Sequence, residues 1–517
     1  MKKYDSDNFA EDSWDPNFAV PLVKSHFDVY DILARTDPED LIVIDPETGL
    51  LALVYDGEAF SFAADEVVDL PSRTFSVTYS AAADINVPPG TIYQGTQTAS
   101  FTESFNYQPS SGEELHEILL MSGNLNIELS TTLQHDVDLI INFPYLTNNG
   151  NPLAVPVTVL YDGSIPTASS TNIDLSNYLL DFSLGGTSFN EFAAGMNFTI
   201  EGTGEEVVGN EEVSVSLSLT NLNFAYISGY FGQQTVALDG DSILIKIFQN
   251  AVDGYFELTN PRLLLHVENS FGFPVEIDIQ ELKTINQETG QEYPMSGYPN
   301  PFLINAPGSV GQSAETTLEF NTDNTTNITN ILSPTPRYLS FGFEGISNPD
   351  GQTATLNFME YNSQLTVDAD LELTLEGFAY GFEFRDTSEF SFDDDIEEVD
   401  WVKLRVNITN GFPVQLDVQL YLTDENMLPI DTIMPEDNRV IVSGQINADG
   451  KVIQPTNKIT DILITRDQIP NLLNAEHIVV HAEAKTKDAF NGQIVKIHDD
   501  NFMELRLGMQ VQGSVNF

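Results

Sequence analysis

Residues Leu263–Ile279 read LLLHVENSFGFPVEIDI, and residues Val402–Val418 read VKLRVNITNGFPVQLDV. Each stretch is an alternating strand, an asparagine (Asn269, Asn410), a Gly-Phe-Pro-Val corner and a second alternating strand. The corners, Gly272–Val275 and Gly411–Val414, lie 139 residues apart. Alternation places Val275, Ile277 and Ile279 on one face and Glu276 and Asp278 on the other, the pattern of a half-buried strand. Pro274 has no N–H for a ladder, so it belongs at a strand start or edge. The corner is therefore framework, used twice to turn one kind of sandwich.

Other landmarks keep the same order and nearly the same offset. Asn330-Ile331-Leu332 precedes the strand YLSFGFE as Asn471-Leu472-Leu473 precedes HIVVHAE. Leu339 and Ile478 hold equivalent places inside those strands, and LELTL at Leu371–Leu375 matches MELRL at Met503–Leu507. Matching landmarks in one order identify a tandem repeat. The expected organisation is a leader over 1–24, a short helix plus β-hairpin region over 25–100, and a middle β-sandwich over 101–252. The first repeat follows over 253–392, an acidic linker over 393–400, and the second repeat over 401–517. The fold class is mainly β: tandem antiparallel, immunoglobulin-like sandwiches with a few short helices.

Two of those helices are expected near the N-terminus and in the middle region. Ser25 with Asp28 has N-cap spacing before Val29, Tyr30, Ile32 and Leu33. Ser111-Gly112-Glu113-Glu114 resembles a capping box before Leu115, Ile118 and Leu119, with Gly123 as the stop.

The chain has 517 residues, which suggests roughly three or four domains. It carries 78 acidic against 20 basic residues, a formal net charge of −58. Such a surface repels phosphate backbones and anionic leaflets, so nucleic acid is excluded as a partner class. Cysteine is absent, which removes disulfides, thiolate metal sites and a Cys nucleophile. No apolar run is long enough for a spanning helix, and the start MKKYDSDNFAEDSWDP has no signal-peptide core. The chain is thus expected either to be cytoplasmic or to begin after a removed signal.

The strand–Asn–Gly-Phe-Pro–strand pattern resembles late-embryogenesis-abundant type 2 (water-stress-hypersensitivity) domains, which are immunoglobulin-like sandwiches. The segment around Trp14, Pro16, Ala19, Pro21 and Leu22 resembles the opening of uncharacterised Bacteroidota surface lipoproteins. The preceding Lys3, Asp5 and Asp7 resemble their acidic tether. That resemblance implies a lipid-anchored protein at the outer membrane or cell surface of a Gram-negative bacterium. It further implies envelope proteins as partners, with Met1 standing where the lipidated cysteine would be.

Few residues point to chemistry. His477 and His481 are four apart on an alternating run, about 13 Å along a strand and too far for one ion. No nucleophile elbow or phosphate loop occurs. Asp393, Asp394 and Asp395 are the best cation candidates, because calcium takes several hard oxygens and could stiffen a linker. A solvated acidic linker has the same composition. Phe378, Tyr380, Phe382 and Phe384 share one parity, which suits a sugar-stacking or apolar-ligand face, although a sandwich core uses the same stripe. The expectation is a non-enzymatic envelope lipoprotein that scaffolds or binds protein partners, with no cofactor beyond a structural Ca²⁺. The alternative is a glycan- or apolar-ligand-binding module using Phe378, Tyr380 and Phe382.

Overall fold

A computed structural model of the chain describes residues 17–29, 42–245, 255–286, 289–389 and 399–513. The period-two signal becomes strands nearly throughout. In the Pro261–Asn269 strand Leu263, Leu265 and Val267 are buried while Arg262 and Glu268 face solvent. Each such side chain gains about 1.5–3 kcal/mol by leaving water, which fixes the register of the whole ladder. The fold is mainly β and antiparallel, with short helices at Ala64–Val67, Ile328–Leu332 and Ile469–Leu473.

The two repeats have the same sheets. In the first, one sheet orders Ala314–Phe320, Pro261–Asn269, Gln364–Thr374 and Leu51–Ala63. The second repeat orders Thr456–Thr465, Val399–Asn410, Phe502–Gly513 and Asn17–Asp28 in the same way. The fourth strand of each sheet comes from the N-terminal stretch. Arg73–Ser80 continues this donation by pairing with Glu212–Tyr230 of the middle sandwich. A stretch expected as a leader and a separate hairpin region therefore supplies strands to all three sandwiches, Ile42–Ile44 joining Leu51–Ala63 in the first repeat.

The opposing sheets match as well. Thr235–Leu244, Tyr338–Ser347 and Val275–Ile285 in the first repeat correspond to Phe382–Glu389, His477–Thr486 and Val414–Thr423 in the second. Phe382–Glu389 falls within the stretch assigned from sequence to the first repeat, yet its ladder partner is His477–Thr486 of the second. The middle sandwich and the first repeat share one continuous apolar core, and a second cluster around Val402, Leu422, Ile462 and Leu472 serves the second repeat.

The second expected early helix is corrected and the first only in its cap: Val29 is helical, and Tyr30, Ile32 and Leu33 lie outside the described residues. Ser25 and Asp28 lie in the Asn17–Asp28 strand, paired with Leu505 and Phe502. Glu114–Thr131 is one long strand. Its ladder slips between Ser228↔Glu117 and Gly229↔Leu115, leaving His116 as an extra residue. That bulge moves burial from odd to even positions, Leu115 to Ile118, and so mimics a helical spacing. Gly123 stays in the strand, where a Cβ would press on the Leu222 side chain at 2.9 Å.

The repeated corner turns on its asparagine. Asn269 is fully buried; its amide donates to the Phe273 and Asn305 carbonyls at 3.1 and 3.0 Å and accepts the Phe271 N–H at 2.9 Å. Asn410 makes the same set, to the Val414 and Val442 carbonyls at 2.8 and 3.1 Å and from the Phe412 N–H at 2.9 Å. The first corner has two more residues between asparagine and proline. That extra length is used: the Gly272 N–H donates to the Phe358 carbonyl at 2.7 Å, and a Cβ on Gly272 would fall into the Phe358 ring. Phe273 meets Phe231 edge-on at 5.9 Å. The corner that differs between the copies is thus where the first repeat grips the middle sandwich, since Asn357–Glu360 adds to the Glu212–Tyr230 ladder.

The N-terminal hairpin, the first repeat and the second meet at His498. Leu51 N–H donates to the Ile497 carbonyl at 3.1 Å, and Ile497 N–H to the Leu375 carbonyl at 3.0 Å. His498 is buried, with Nδ1 3.1 Å from the Thr48 carbonyl, so Nδ1 carries the proton of the neutral ring. Burial, then the charge of Lys451, holds His498 below its ordinary pKa against the opposing pull of Asp499 and Asp500. His135, buried in the middle sandwich, is lowered by burial too. A histidine with a depressed folded pKa is protonated more readily in the unfolded chain. Stability is therefore full above the unfolded value, about 6.5, and falls as pH drops from there toward the folded value. We expect the melting temperature to fall between about pH 7 and pH 5, above the range where carboxylates titrate. His498→Asn should flatten that fall, and an unchanged slope in this variant would refute the assignment.

Candidate functional site

A three-stranded sheet joins the repeats: Tyr255–Leu258, Glu376–Tyr380 and Val495–Lys496. Its inner face holds Leu258, Gly377, Ala379 and Val495, all buried. Gly377 is required here, because a Cβ would collide with the Glu257 carbonyl. The outer face carries Glu376, Phe378 and Tyr380 from one strand and Tyr255 and Glu257 from its neighbour, with Tyr255 opposite Tyr380 and Glu257 opposite Phe378.

Phe378, Tyr380 and Tyr255 are partly exposed. Tyr255 stacks on Tyr380 at 5.2 Å and on Phe378 at 5.9 Å. Burial, then its bond to Glu257 at 2.8 Å, raises the Tyr255 phenol above its ordinary value, so it stays a neutral donor. The row continues into the second repeat through Phe490, 5.0 Å from Tyr380 and 71% exposed. Phe490 rides on a tight turn: Asp488 and Gly492 both adopt left-handed backbone, and Gly492 N–H closes onto the Ala489 carbonyl at 2.8 Å. Lys485 Nζ sits 5.3 Å from the Phe490 ring, a cation–π contact.

Beside this aromatic row lies a polar cleft of about 610 Å³. Glu376 connects the two, since it lines the cleft and shares a strand face with Phe378. Asp449, Asp488, Asn491 and Gln493 line the other side, with Lys496 paired to Glu376 at 3.3 Å. The cleft takes walls from both repeats, so neither builds it alone.

The structure divides the expected aromatic stripe. Phe378 and Tyr380 face outward, but Gly381 has φ +74° and swings the chain into another sheet. Phe382 then packs with the core, edge-on to Phe256 at 6.1 Å. Asp393, Asp394 and Asp395 lie outside the described residues. Among the described residues no three His, Asp or Glu side chains gather as a metal-binding group. His477 and His481 lie on the single strand His477–Thr486. Tyr255 and Phe490 were not singled out from sequence. Phe490 left one trace, a lone aromatic in the polar run KTKDAFNGQ.

A second cleft of about 500 Å³ lies between the middle sandwich and the first repeat, lined in part by His116, Asp181, Tyr226 and Asn357. Its Asp181 is occupied by its own turn, accepting the Ser183 and Gly185 N–H groups at 2.8 and 2.9 Å. Among the described residues no helix is long and apolar enough to cross a membrane.

No protein-family model matches the chain, and no curated protein matches its sequence. Among solved structures it is similar to a "putative secreted protein" of Parabacteroides distasonis, 14% identical, covering 56% of this chain and 88% of that one, with a TM-score of 0.31. It is also similar to the structure of infectious bursal disease virus Gt strain, 9% identical, covering 88% of this chain and 83% of that one, with a TM-score of 0.14. Likenesses this slight carry no argument about what the chain does.

Proposed function

We propose that this chain works without catalysis, as a display protein of the envelope of a Gram-negative bacterium. It is lipid-anchored ahead of its Asn17–Asp28 strand and holds recognition surfaces out to envelope proteins. The observation that carries this reading is the donation of N-terminal strands to all three sandwiches. A tether running into Asn17 is tied at once into the ladder of the second repeat, and the next donated strands tie in the other two bodies. A load on the anchor is therefore spread along antiparallel ladders instead of falling on one linker. The resemblance of the repeats to late-embryogenesis-abundant type 2 sandwiches suits modules that present loops on a rigid frame. The acidic surface keeps such a body off anionic phosphate groups.

In native cells the protein should fractionate with membranes, take up a radiolabelled fatty acid, and yield cross-linked envelope proteins on mild treatment. Recovery from the soluble cytoplasmic fraction without label would overturn the location. A membrane-bound but uncross-linked monomer would overturn the scaffold role.

A further inference from the structure

We propose that the aromatic row Phe378–Tyr380–Tyr255–Phe490 and the cleft beside it form one binding site for a neutral oligosaccharide. The inference deepens the display reading by naming a ligand. It rests on that reading only for where the ligand would be met.

Three features select the ligand class. The first is the row itself: four rings in contact, contributed by three separate segments, with Phe490 left mostly in water. An exposed ring on a braced turn does not contribute to a core. It offers a flat apolar face of the kind on which the C–H side of a pyranose packs. The second is the hydrogen-bonding equipment alongside. A sugar hydroxyl both donates and accepts, so it needs carboxylates and amides together. Glu376, Asp449 and Asp488 supply acceptors, while Asn491 supplies a donor and an acceptor. Gln493 donates its own amide to the Ile494 carbonyl at 2.8 Å, which orients its oxygen for the cleft. A purely apolar ligand would leave these groups unused or desolvated at a cost. The third is charge. Within the cleft three carboxylates face one lysine, Lys496, which is already engaged with Glu376. Lys485, over the Phe490 ring, and Lys487, 3.8 Å from Asp488, stand outside that lining and already have partners, so the cleft disfavours uronates and phosphates. An extended neutral chain fits all three: its rings lie along the aromatic row and its terminal hydroxyls reach the cleft at Glu376.

The site also explains why the two repeats are held in one arrangement. Thr486 Oγ1 accepts the Ala379 N–H at 3.1 Å and its hydroxyl lies 3.3 Å from the Ala379 carbonyl. These bonds fix the strand that carries Phe378 and Tyr380 against the second repeat's Phe490 turn.

The test uses the purified full chain in calorimetry and affinity electrophoresis against cellohexaose, mannohexaose, soluble xylan and dextran, with polygalacturonate as the anionic comparison. At least one neutral glycan should bind and polygalacturonate should not. Phe490→Ala, a change at an exposed position, should weaken binding about three- to tenfold at an unaltered melting temperature. Tyr380→Ala should weaken it further, and Glu376→Gln should act on affinity without abolishing stacking. Binding equal in wild type and Phe490→Ala, or no binding to any neutral glycan, would overturn the proposal. If Phe490→Ala instead reduces cross-linking to an envelope protein and no glycan binds, the face belongs to a protein partner. Because these measurements use isolated protein, their failure is separable from a failure of the envelope location.

Discussion

Asn269→Ala should lower the stability of the first repeat by at least about 3 kcal/mol, and Asn410→Ala that of the second by at least about 2 kcal/mol. Each asparagine satisfies two carbonyls and one N–H in a fully buried corner. Alanine at 269 strands all three groups and at 410 two of them, since the Val442 carbonyl keeps the Thr456 hydroxyl at 2.7 Å. Each stranded group costs roughly 1–3 kcal/mol, and the closed corner limits relief by water. Asn269→Asp should be no milder. It keeps the acceptor for Phe271 but turns a carboxylate oxygen toward two carbonyls. Asn457→Ala is the control: that side chain is exposed, bonded to Asn407 and Thr409, and its loss should stay within about 0.5 kcal/mol. The apolar cores predict which part of a denaturation curve moves. The first repeat shares its core with the middle sandwich, and the second repeat has a cluster of its own, although Phe412 at its corner packs into the larger core. In guanidinium, Asn269→Ala should shift the transition of the larger body and Asn410→Ala that of the C-terminal sandwich. Midpoints equal to wild type in either variant would refute the role given to that asparagine.

That corner also shows how much of the fold was legible in the sequence. Alternation identified the strands, because one face of each is buried and the other wet, and the spaced landmarks identified the repeat. The identical Gly-Phe-Pro-Val words, however, align the wrong feature for the strand before the turn. The asparagines lie 141 residues apart and the prolines 139, so the first corner has two residues more. The extra length grips Phe358, a residue of a strand that has joined the middle sandwich. A local pattern cannot announce such a partner, since strand pairing is decided by surfaces distant in sequence. The same limit hid the destinations of Asn17–Asp28 and Leu51–Ala63. It also shaped the reading of the site: Phe378 and Tyr380 were legible by parity, but Gly381 ended the parity before Phe382. Tyr255 and Phe490 reach the row only through folding, from positions far along the chain on either side.

Leu51→Asp should be the most damaging single change in the donated strands, on the order of 5 kcal/mol, a large part of what holds a domain folded. Leu51 is fully buried, with Leu53 and Tyr55 nearly so two and four residues on. These alternate positions give the Leu51–Ala63 strand its inner face, while its ladder runs along Gln364–Thr374. A carboxylate at Leu51 must either be buried without a cation or pull the strand off the sheet. The second course exposes the edge of Gln364–Thr374 and breaks the Leu51 bonds to Ile497 and Leu375. The damage should therefore cross the boundary between repeats. Limited proteolysis of Leu51→Asp should cut early near the repeat junction and lower the affinity of the Phe490 site for its glycan, although the substitution touches neither ring nor cleft. Val43→Asp tests the alternative that any charge in this hairpin is harmful. Val43 is 49% exposed on the adjoining strand, and its substitution should leave both melting and proteolysis near wild type. If Leu51→Asp melts and digests like wild type, the donated strand does not hold the repeats together, and the load path argued for the anchor fails with it.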